Sequence, residues 1–341
     1  MIYVGMDVSS KSFMVHAIGE KKKTLFRGEV SPTRSGLDKM LRELGPQQKV
    51  VAFEAGNQMK WIALHLMKKE SVKLHVVHPN EVKWITESKG KTDKVDAKKL
   101  AELSRGDLLP RPVHIVEGKV RELRELVSAR HLLQSKRIAL INSLRGFVRQ
   151  EGLRLPVKFF QRKDWKGELS AFKGSSPLKR VIESYMSAIE ALASSEKELT
   201  ERICEIDDNR IELLKSIPGL GELSSRVLLS AIDDAKRFDD RKAIANYGAL
   251  TPTIYQSGSV TRLGRINRDG RHEVRRVLIQ SAHTITRMKS PAVKPLKEFF
   301  ERISKRRSKK IAIVALSRKL LTTAYGVMKT GTTYDPAKLA A

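Results

Sequence analysis

Four acidic residues in this chain stand where carboxylates could do metal-ion chemistry. Asp7 stands near the end of the apolar run IYVGMDV, Glu54 closes KVVAFE, and Asp93 and Asp96 stand three apart in KTDKVDAKKLAEL, Lys91 to Leu103. Strand ends along one edge of a sheet lie close together, and residues three apart share a helix face. Asp7 and Glu54 can therefore meet Asp93 and Asp96 if the lysine-rich segment opens a helix over that edge. Hard oxygen donors of this kind suit Mg²⁺ or Mn²⁺. A pair of such ions clamps the attacking and leaving oxygens of a phosphodiester. Carboxylates gathered this closely repel one another unless a cation sits among them. Each acid also has a simpler use: an Asp at a strand end starts a turn, and Asp93 suits a helix N-cap.

The elements that must position these acids are legible along the first third. IYVGMDV, SFMVHAIG and TLFRGEV read as three strands of an antiparallel meander. The pattern predicts a helix over Ser35 to Leu44, with Leu37, Met40, Leu41 and Leu44 on one face. KVVAFE follows as a buried central strand, then a helix over Lys60 to Lys69, the strand VKLHVVH, and helices over Asn80 to Ser88 and Lys94 to Ser104. This order predicts a mixed α/β sheet. Leu109-Pro110-Arg111-Pro112 marks the end of that domain, residues 1–112. Residues 113–212 read as helical. Leu123, Leu126, Leu133, Leu140, Leu144 and Phe147 recur at helical steps within Glu117 to Glu151. A second helix starts at Ser176-Pro177 with the seam Leu178, Ile182, Tyr185, Ile189, Leu192, Leu199, Ile203 and Ile206, interrupted by Glu196. The two predict a coiled coil, folded as a helical hairpin with its tip at Leu153 to Gly174. Residues 213–330 read as mainly α. They open on SIPGLGEL, a tight turn feeding a helix N-terminus, as in half of a helix-hairpin-helix whose amides hold a DNA phosphate. A Gly- and Pro-broken stretch from Tyr247 to Arg271 interrupts them. The tail, 331–341, reads as frayed.

Charge points to the partner. The 341 residues carry 66 Lys and Arg against 38 Asp and Glu, a net +28. Such an excess repels itself unless a polyanion compensates it, and nucleic acid is the first candidate. Arg262, Arg265, Arg268, Arg271, Arg275 and Arg276 crowd one stretch with only Asp269 and Glu273 among them. Arg306, Arg307 and Lys309 belong to a second, RISKRRSKK. Guanidinium holds phosphate bidentately and stays charged, so both stretches are candidate nucleic-acid contacts. Aromatic residues make up 6% of the chain, which favours contacts to the nucleic-acid backbone over base stacking. No run reaches about 18 apolar residues, so no membrane partner is expected. The single cysteine, Cys204, excludes an intrachain disulfide and a Cys-based zinc site. A cytoplasmic, nucleoid-associated setting fits. His75 and His78 read as polar residues at a sheet edge rather than zinc ligands.

GMDVSSK, then FEAGN, then KTDKVDAKKLAEL resembles the Asp-Glu-Asp-Asp signature of the IS110/IS1111-type transposases. The likeness continues through a helical middle, IPGLG, and a C-terminal block of YGALTP, QSG, INRDG and VRR. One departure is Gly248-Ala249-Leu250-Thr251-Pro252, where the family pattern reads closer to Gly-Leu-x-Pro. The resemblance implies an α/β RNase-H-like (RuvC-type) N-terminal domain, a coiled-coil middle and a mainly α C-terminal transposase domain with a serine nucleophile. Asp7, Glu54, Asp93 and Asp96 would be the metal carboxylates, and Ser257, in QSG, the nucleophile. Taken by itself, Ser257 reads as a turn residue. The resemblance also implies donor and target DNA, a structured noncoding guide RNA that bridges them, and a dimer or tetramer in which protomers complete each other's sites. The expected function is strand cutting and rejoining through a serine phosphodiester. Two other readings stay open: a metal-dependent junction nuclease in which water attacks, and a non-catalytic nucleic-acid-binding scaffold whose acids are caps.

Overall fold

A computed structural model describes residues 1–86, 93–171, 176–257, 260–267 and 269–340. They form two compact units, Met1–Ile115 and Val116–Ala341.

The first unit is built on one five-stranded sheet. Strands β1 (Ile2–Val8), β2 (Phe13–Gly19) and β3 (Thr24–Val30) are short apolar runs joined by tight turns, so they pair antiparallel. The chain then crosses through helix α1 (Arg34–Glu43) to β4 (Lys49–Glu54), and through α2 (Met59–Leu66) to β5 (Val72–Val77). Such crossovers make β4 parallel to β1 and β5 parallel to β4, giving the order β3-β2-β1-β4-β5. The expected mixed α/β sheet is thus present, with β4 in the interior position foreseen for KVVAFE. α1 begins at Thr33, whose hydroxyl accepts from the Gly36 N–H at 3.1 Å.

Alternation sorts the sheet's two faces. Val4 and Met6 of β1, Val51 and Phe53 of β4, and Phe13 and Val15 of β2 pack with Leu37 and Met40 of α1 and with Ile62 and Leu66 of α2. The other face carries Gly5 and Ala52, paired in register. Helix α4 (Asp93–Arg105), which follows α3 (Pro79–Thr86), covers that face across β1, β2 and β4. Ala52, Val77, Val82 and Leu100 form the small core beneath it. The Pro-containing end of the unit runs along β5. Pro110 O bonds the His75 ring at 2.8 Å, and Val113 N–H donates to Val76 O at 2.8 Å.

In the second unit, α5 (Gly118–Gln150) and α7 (Ser176–Glu205) lie side by side and antiparallel. The direction follows from their cross-contacts: Arg130 and Arg137 reach Glu196, whereas Ser143, further along α5, reaches Tyr185, earlier on α7. Glu196, the break in the apolar seam, is buried and is the acceptor for Arg130, Gln134 and Arg137. Between these helices the tip carries α6 (Trp165–Ser170) and a core of its own, with Phe159 and Leu169 packed on Leu144, Leu178 and Ile182.

α8 (Arg210–Lys215) and α9 (Glu222–Ile232) flank the Pro218-Gly219-Leu220-Gly221 turn, in which Gly219 has φ +83. At the start of α9, Gly221 N–H donates to Ser224 Oγ at 2.8 Å, and the Glu222 carboxylate pairs with the side chains of Lys215 and Arg226. α10 (Arg241–Tyr247) follows. The Gly- and Pro-broken stretch then forms a hairpin, β6 (Pro252–Ser257) and β7 (Val260–Ile266), rather than an irregular loop. α11 (His272–Arg287), α12 (Lys294–Arg306) and α13 (Lys309–Thr330) complete the unit, whose core gathers side chains from Leu123 to Val327.

α13 is the helix that, among the described residues, is long and apolar enough to cross a membrane. Ala312, Leu316, Leu320, Leu321 and Ala324 are buried in the core of the second unit, which accounts for that composition. Gly331, left-handed at φ +67, ends α13. The tail then folds back, with Tyr334 N–H donating to Ser216 Oγ at 2.8 Å and the Tyr334 hydroxyl to Ala292 O at 3.1 Å. It is a docked segment, contrary to the frayed end expected.

Candidate active site

Asp7 and Glu54 are brought together by strand pairing. The β1/β4 ladder runs from Ile2 opposite Lys49 to Met6 opposite Phe53, so Asp7 and Glu54 occupy the next step of adjacent parallel strands. Residues two apart on a strand share a face. Asp7 therefore faces the same way as Gly5, and Glu54 the same way as Ala52: toward α4. Both are partly buried.

Helix α4 descends on this face at Gly5. A Cβ built on Gly5 would lie 2.0 Å from Ala97 O and 2.6 Å from Ala101 N. Only glycine permits that approach, so Gly5 sets the height of the helix over the sheet. Arg105 Nη1 donates to Glu20 O at 3.5 Å, just past the Gly19 that pairs with Ile2. The C-terminal end of α4 thus lies at the start of β1, and the helix runs antiparallel to the strand. From the Gly5–Ala97 contact, two strand residues advance about 6.6 Å to Asp7. Four helix residues, counted back to Asp93, advance about 6 Å. The first turn of α4 and the C-terminal ends of β1 and β4 therefore reach the same level.

Asp96 occupies this turn, one helical repeat before Leu100, on the sheet-facing side. It is 9% exposed, and its Oδ1 is buried without a hydrogen-bond partner among the described residues. A buried carboxylate oxygen left unmatched is costly. Asp93 opens α4, and residues 87–92 before it, with the Asp93 side chain, lie outside the described parts. Among the described residues, no three His, Cys, Asp or Glu side chains converge closely enough to hold a metal ion. The sheet-and-helix frame thus brings Asp7, Glu54 and Asp96 to one end of one face without closing a cation cage. The donor set is all hard oxygen, and the unmatched Asp96 oxygen is the kind of group a divalent ion satisfies, so these residues fit Mg²⁺ or Mn²⁺.

The rim of this end is ordered by Ser9. Its hydroxyl donates to Ser12 O at 2.7 Å and accepts from the Lys11 and Ser12 N–H groups, and Gln58 Nε2 donates to Ser9 O at 2.6 Å. The loops leaving β1 and β4 are thereby tied together. Beneath α4, His16 is opposite Gly5 and buried. Burial first, then the charges of Arg27 and Lys98, push its imidazole below the usual histidine range.

Gly5 is the positioning residue that the acid-by-acid reading missed. Its signal was present in the sequence: a glycine inside an apolar strand marks close approach of another backbone.

In the second unit, Ser257 ends β6 opposite Val260, at the turn of the hairpin; its side chain and residues 258, 259 and 268 lie outside the described parts. Arg262 and Arg265 stand exposed on β7, and Arg262 is opposite the exposed Tyr255. Arg306, Arg307 and Lys309 are exposed where α12 passes into α13. The other arginines of the first cluster are engaged within the unit. Arg271 pairs with Glu273 at 2.6 Å, Arg275 Nη1 donates to Asn267 O at 2.9 Å and Ala249 O at 3.3 Å, and Arg276 Nη1 donates to Gln134 Oε1 at 2.6 Å. These three brace the hairpin base and join α11 to α5. Arg268 lies outside the described residues.

Comparison with known proteins places the two halves. A DEDD transposase model of the IS110 type matches residues 4–151, and the model of the transposase IS116/IS110/IS902 family matches residues 211–298. The chain belongs to the IS110/IS1111 family of insertion-sequence transposases. It is 25% identical to the transposase for insertion sequence element IS1328 of Yersinia enterocolitica, over 97% of this chain and 98% of that one. Against the transposase for IS1111A of Coxiella burnetii it is 23% identical, over 97% and 90%. A pilin gene-inverting protein of Moraxella bovis is 34% identical over 130 residues, 38% of this chain and 39% of that one. This transposase therefore acts on DNA, and its DEDD-type match spans Asp7, Glu54, Asp93 and Asp96. The second match spans the hairpin with Ser257.

Proposed function

We propose that this transposase cuts and rejoins DNA strands by transesterification, with Asp7, Glu54, Asp93 and Asp96 holding a divalent metal and Ser257 as nucleophile, under the direction of a structured guide RNA. The observation that carries the reading is the seating of the α4 N-terminal turn, with Asp96, over the adjacent ends of β1 and β4. A mixed five-stranded sheet overlaid by α4 supports the RNase-H-like, RuvC-type fold for the first unit. The antiparallel α5/α7 pair, with its leucine and isoleucine seam, supports the coiled-coil middle as a device for bringing protomers together as a dimer or tetramer. A relative named for inverting a pilin gene supports rejoining as well as cutting.

Magnesium or manganese, when bound, supplies positive charge against the phosphate and leaving oxygen. The residues of the chain do the rest. The carboxylates fix the reacting end, and Arg262 and Arg265 hold the phosphodiester in place. The Ser257 oxygen bonds to phosphorus as the bond from phosphorus to one strand end breaks. The serine proton is given up, and the released oxygen gains one. The phosphodiester is conserved in the protein-DNA ester, so rejoining reverses the step without ATP.

The test is Ser257→Ala. Covalent protein-DNA adducts vanish while binding to DNA and RNA survives. Recombination retained by that variant would remove Ser257 from the mechanism. A 5′-phosphate end formed by the wild-type protein without any adduct would assign the attack to water.

A further inference from the structure

A concavity in the second unit whose lining includes neither Asp96 nor Ser257 carries its own charge. α13, the start of α10 and the returning tail enclose a cavity of about 190 Å³. Three cations from separate stretches line it: Arg241, Lys319 and Lys338. No carboxylate pairs with any of them among the described residues. The acid on the wall, Asp335, already accepts from the Ala337 N–H at 2.9 Å.

Three cations against the single wall carboxylate of Asp335 leave a net positive charge and repel one another. Burial, then Arg241 and Arg302, push the Lys319 ammonium below the usual lysine range. The hydroxyls of Thr322 and Thr323 both donate to Lys319 O, at 2.9 Å, and that of Thr330 donates to Gly326 O at 3.0 Å. The donors left for a ligand are chiefly the three cations. The volume is that of several waters, room for a tetrahedral phosphate and its ester oxygens. The one aromatic ring on the wall, Tyr334, is held by its hydroxyl bond to Ala292 O and by its own backbone bond to Ser216. It pins the tail in place and leaves no free ring for a base to stack on.

We propose that this cavity is a docking site for a backbone phosphate of the DNA substrate, contacted by Arg241, Lys319 and Lys338. The assignment rests on the DNA-directed activity above but not on the identity of the nucleophile. The folded-back tail contributes Lys338, so the site exists only while Tyr334 is docked.

The test measures binding of a fluorescent DNA duplex to the full-length protein across a salt series. Arg241→Gln and Lys338→Gln should each weaken binding roughly tenfold. Each should also lower the slope of log affinity against log salt by about one. Lys197→Gln, which removes an exposed α7 cation paired with Glu201, makes the same change in net charge and should leave the slope unaltered. Lys319→Gln is a third probe; if it fails to fold, the two exposed positions still decide. The proposal is overturned if the cavity variants bind like Lys197→Gln. It is equally overturned if they lose only RNA binding, or if inorganic phosphate raises the melting temperature through this cavity while DNA affinity is unchanged. Adduct formation at Ser257 is scored separately, so a wild-type adduct together with unaffected cavity variants would reject this site and leave the catalytic reading standing.

Discussion

Asp96 is the proposed metal carboxylate whose surroundings are the most sharply defined. Its buried Oδ1 has no partner among the described residues, a penalty of about 1–3 kcal/mol that folding carries. A fold that holds such a group holds it against stability, which is how functional sites behave. Asp96→Asn should therefore abolish strand cutting, by at least about a hundredfold, while the melting temperature stays level or rises. Normal strand exchange by the variant would refute its role. His131 in the second unit offers a pH readout. Burial above all, with Arg276, His272 and Arg130 nearby, pushes its imidazole below the ordinary value; Glu273 opposes this. A depressed histidine binds its proton less readily when folded than when unfolded. Stability is therefore fully present above the unfolded value near 6.5 and declines as pH falls below it. Thermal melts at pH 7.5 and 5.5 should show a smaller difference for His131→Gln than for the wild type. An equal difference in both would contradict the sign argued here.

At the scale of elements, two contacts set geometry that no single element contains. α4 lies on β1 because Gly5 has no side chain, and Gly5→Ala must push the helix away from the strand. Overpacking of this kind costs about 1–3 kcal/mol. The displaced turn carries Asp96, so cleavage should fall further than the lost stability explains, measured at a temperature where the variant is still folded. Activity matching the wild type would show that the height of α4 does not matter. The α5/α7 pair is locked at Glu196, where Arg130 and Arg137 meet one carboxylate. Glu196→Ala leaves two partly buried guanidinium groups without that partner and should destabilise the second unit by about 2–3 kcal/mol, after allowance for solvent around Arg137. Unchanged urea unfolding would mean that the pair is screened to insignificance.

At the scale of the whole molecule, the +28 charge is not one undifferentiated surface. Arg124, Arg210 and Arg237 are spent on the carbonyls that end α9, from Ser230 to Asp233. Arg271, Arg275 and Arg276 brace the hairpin and α11. What faces solvent, including Arg262, Arg265, Arg306, Arg307 and Lys309, is enough for several phosphate contacts. Raising salt from 50 to 200 mM should then weaken DNA binding about a thousandfold; a nearly flat salt response would dismiss the charge as a docking force. Local pattern made the strands, the long helices and the four acids legible, because alternation and helical spacing are properties of neighbours in sequence. The same holds for the charge excess, which only requires counting. Other features needed the folded chain. Glu196 looked like a flaw in a seam until Arg130 and Arg137 arrived from the facing helix. Arg275 and Arg276 stood in sequence as part of a basic run; only the fold shows that they also donate to backbone and side-chain acceptors, one of them 142 residues away. Arg241, Lys319 and Lys338 share no motif and meet only because the tail turns back at Gly331. Sequence by itself determined which groups can ionise, alternate or coil. Tertiary structure decided which of them meet, because burial and partnership depend on residues that sequence distance keeps apart.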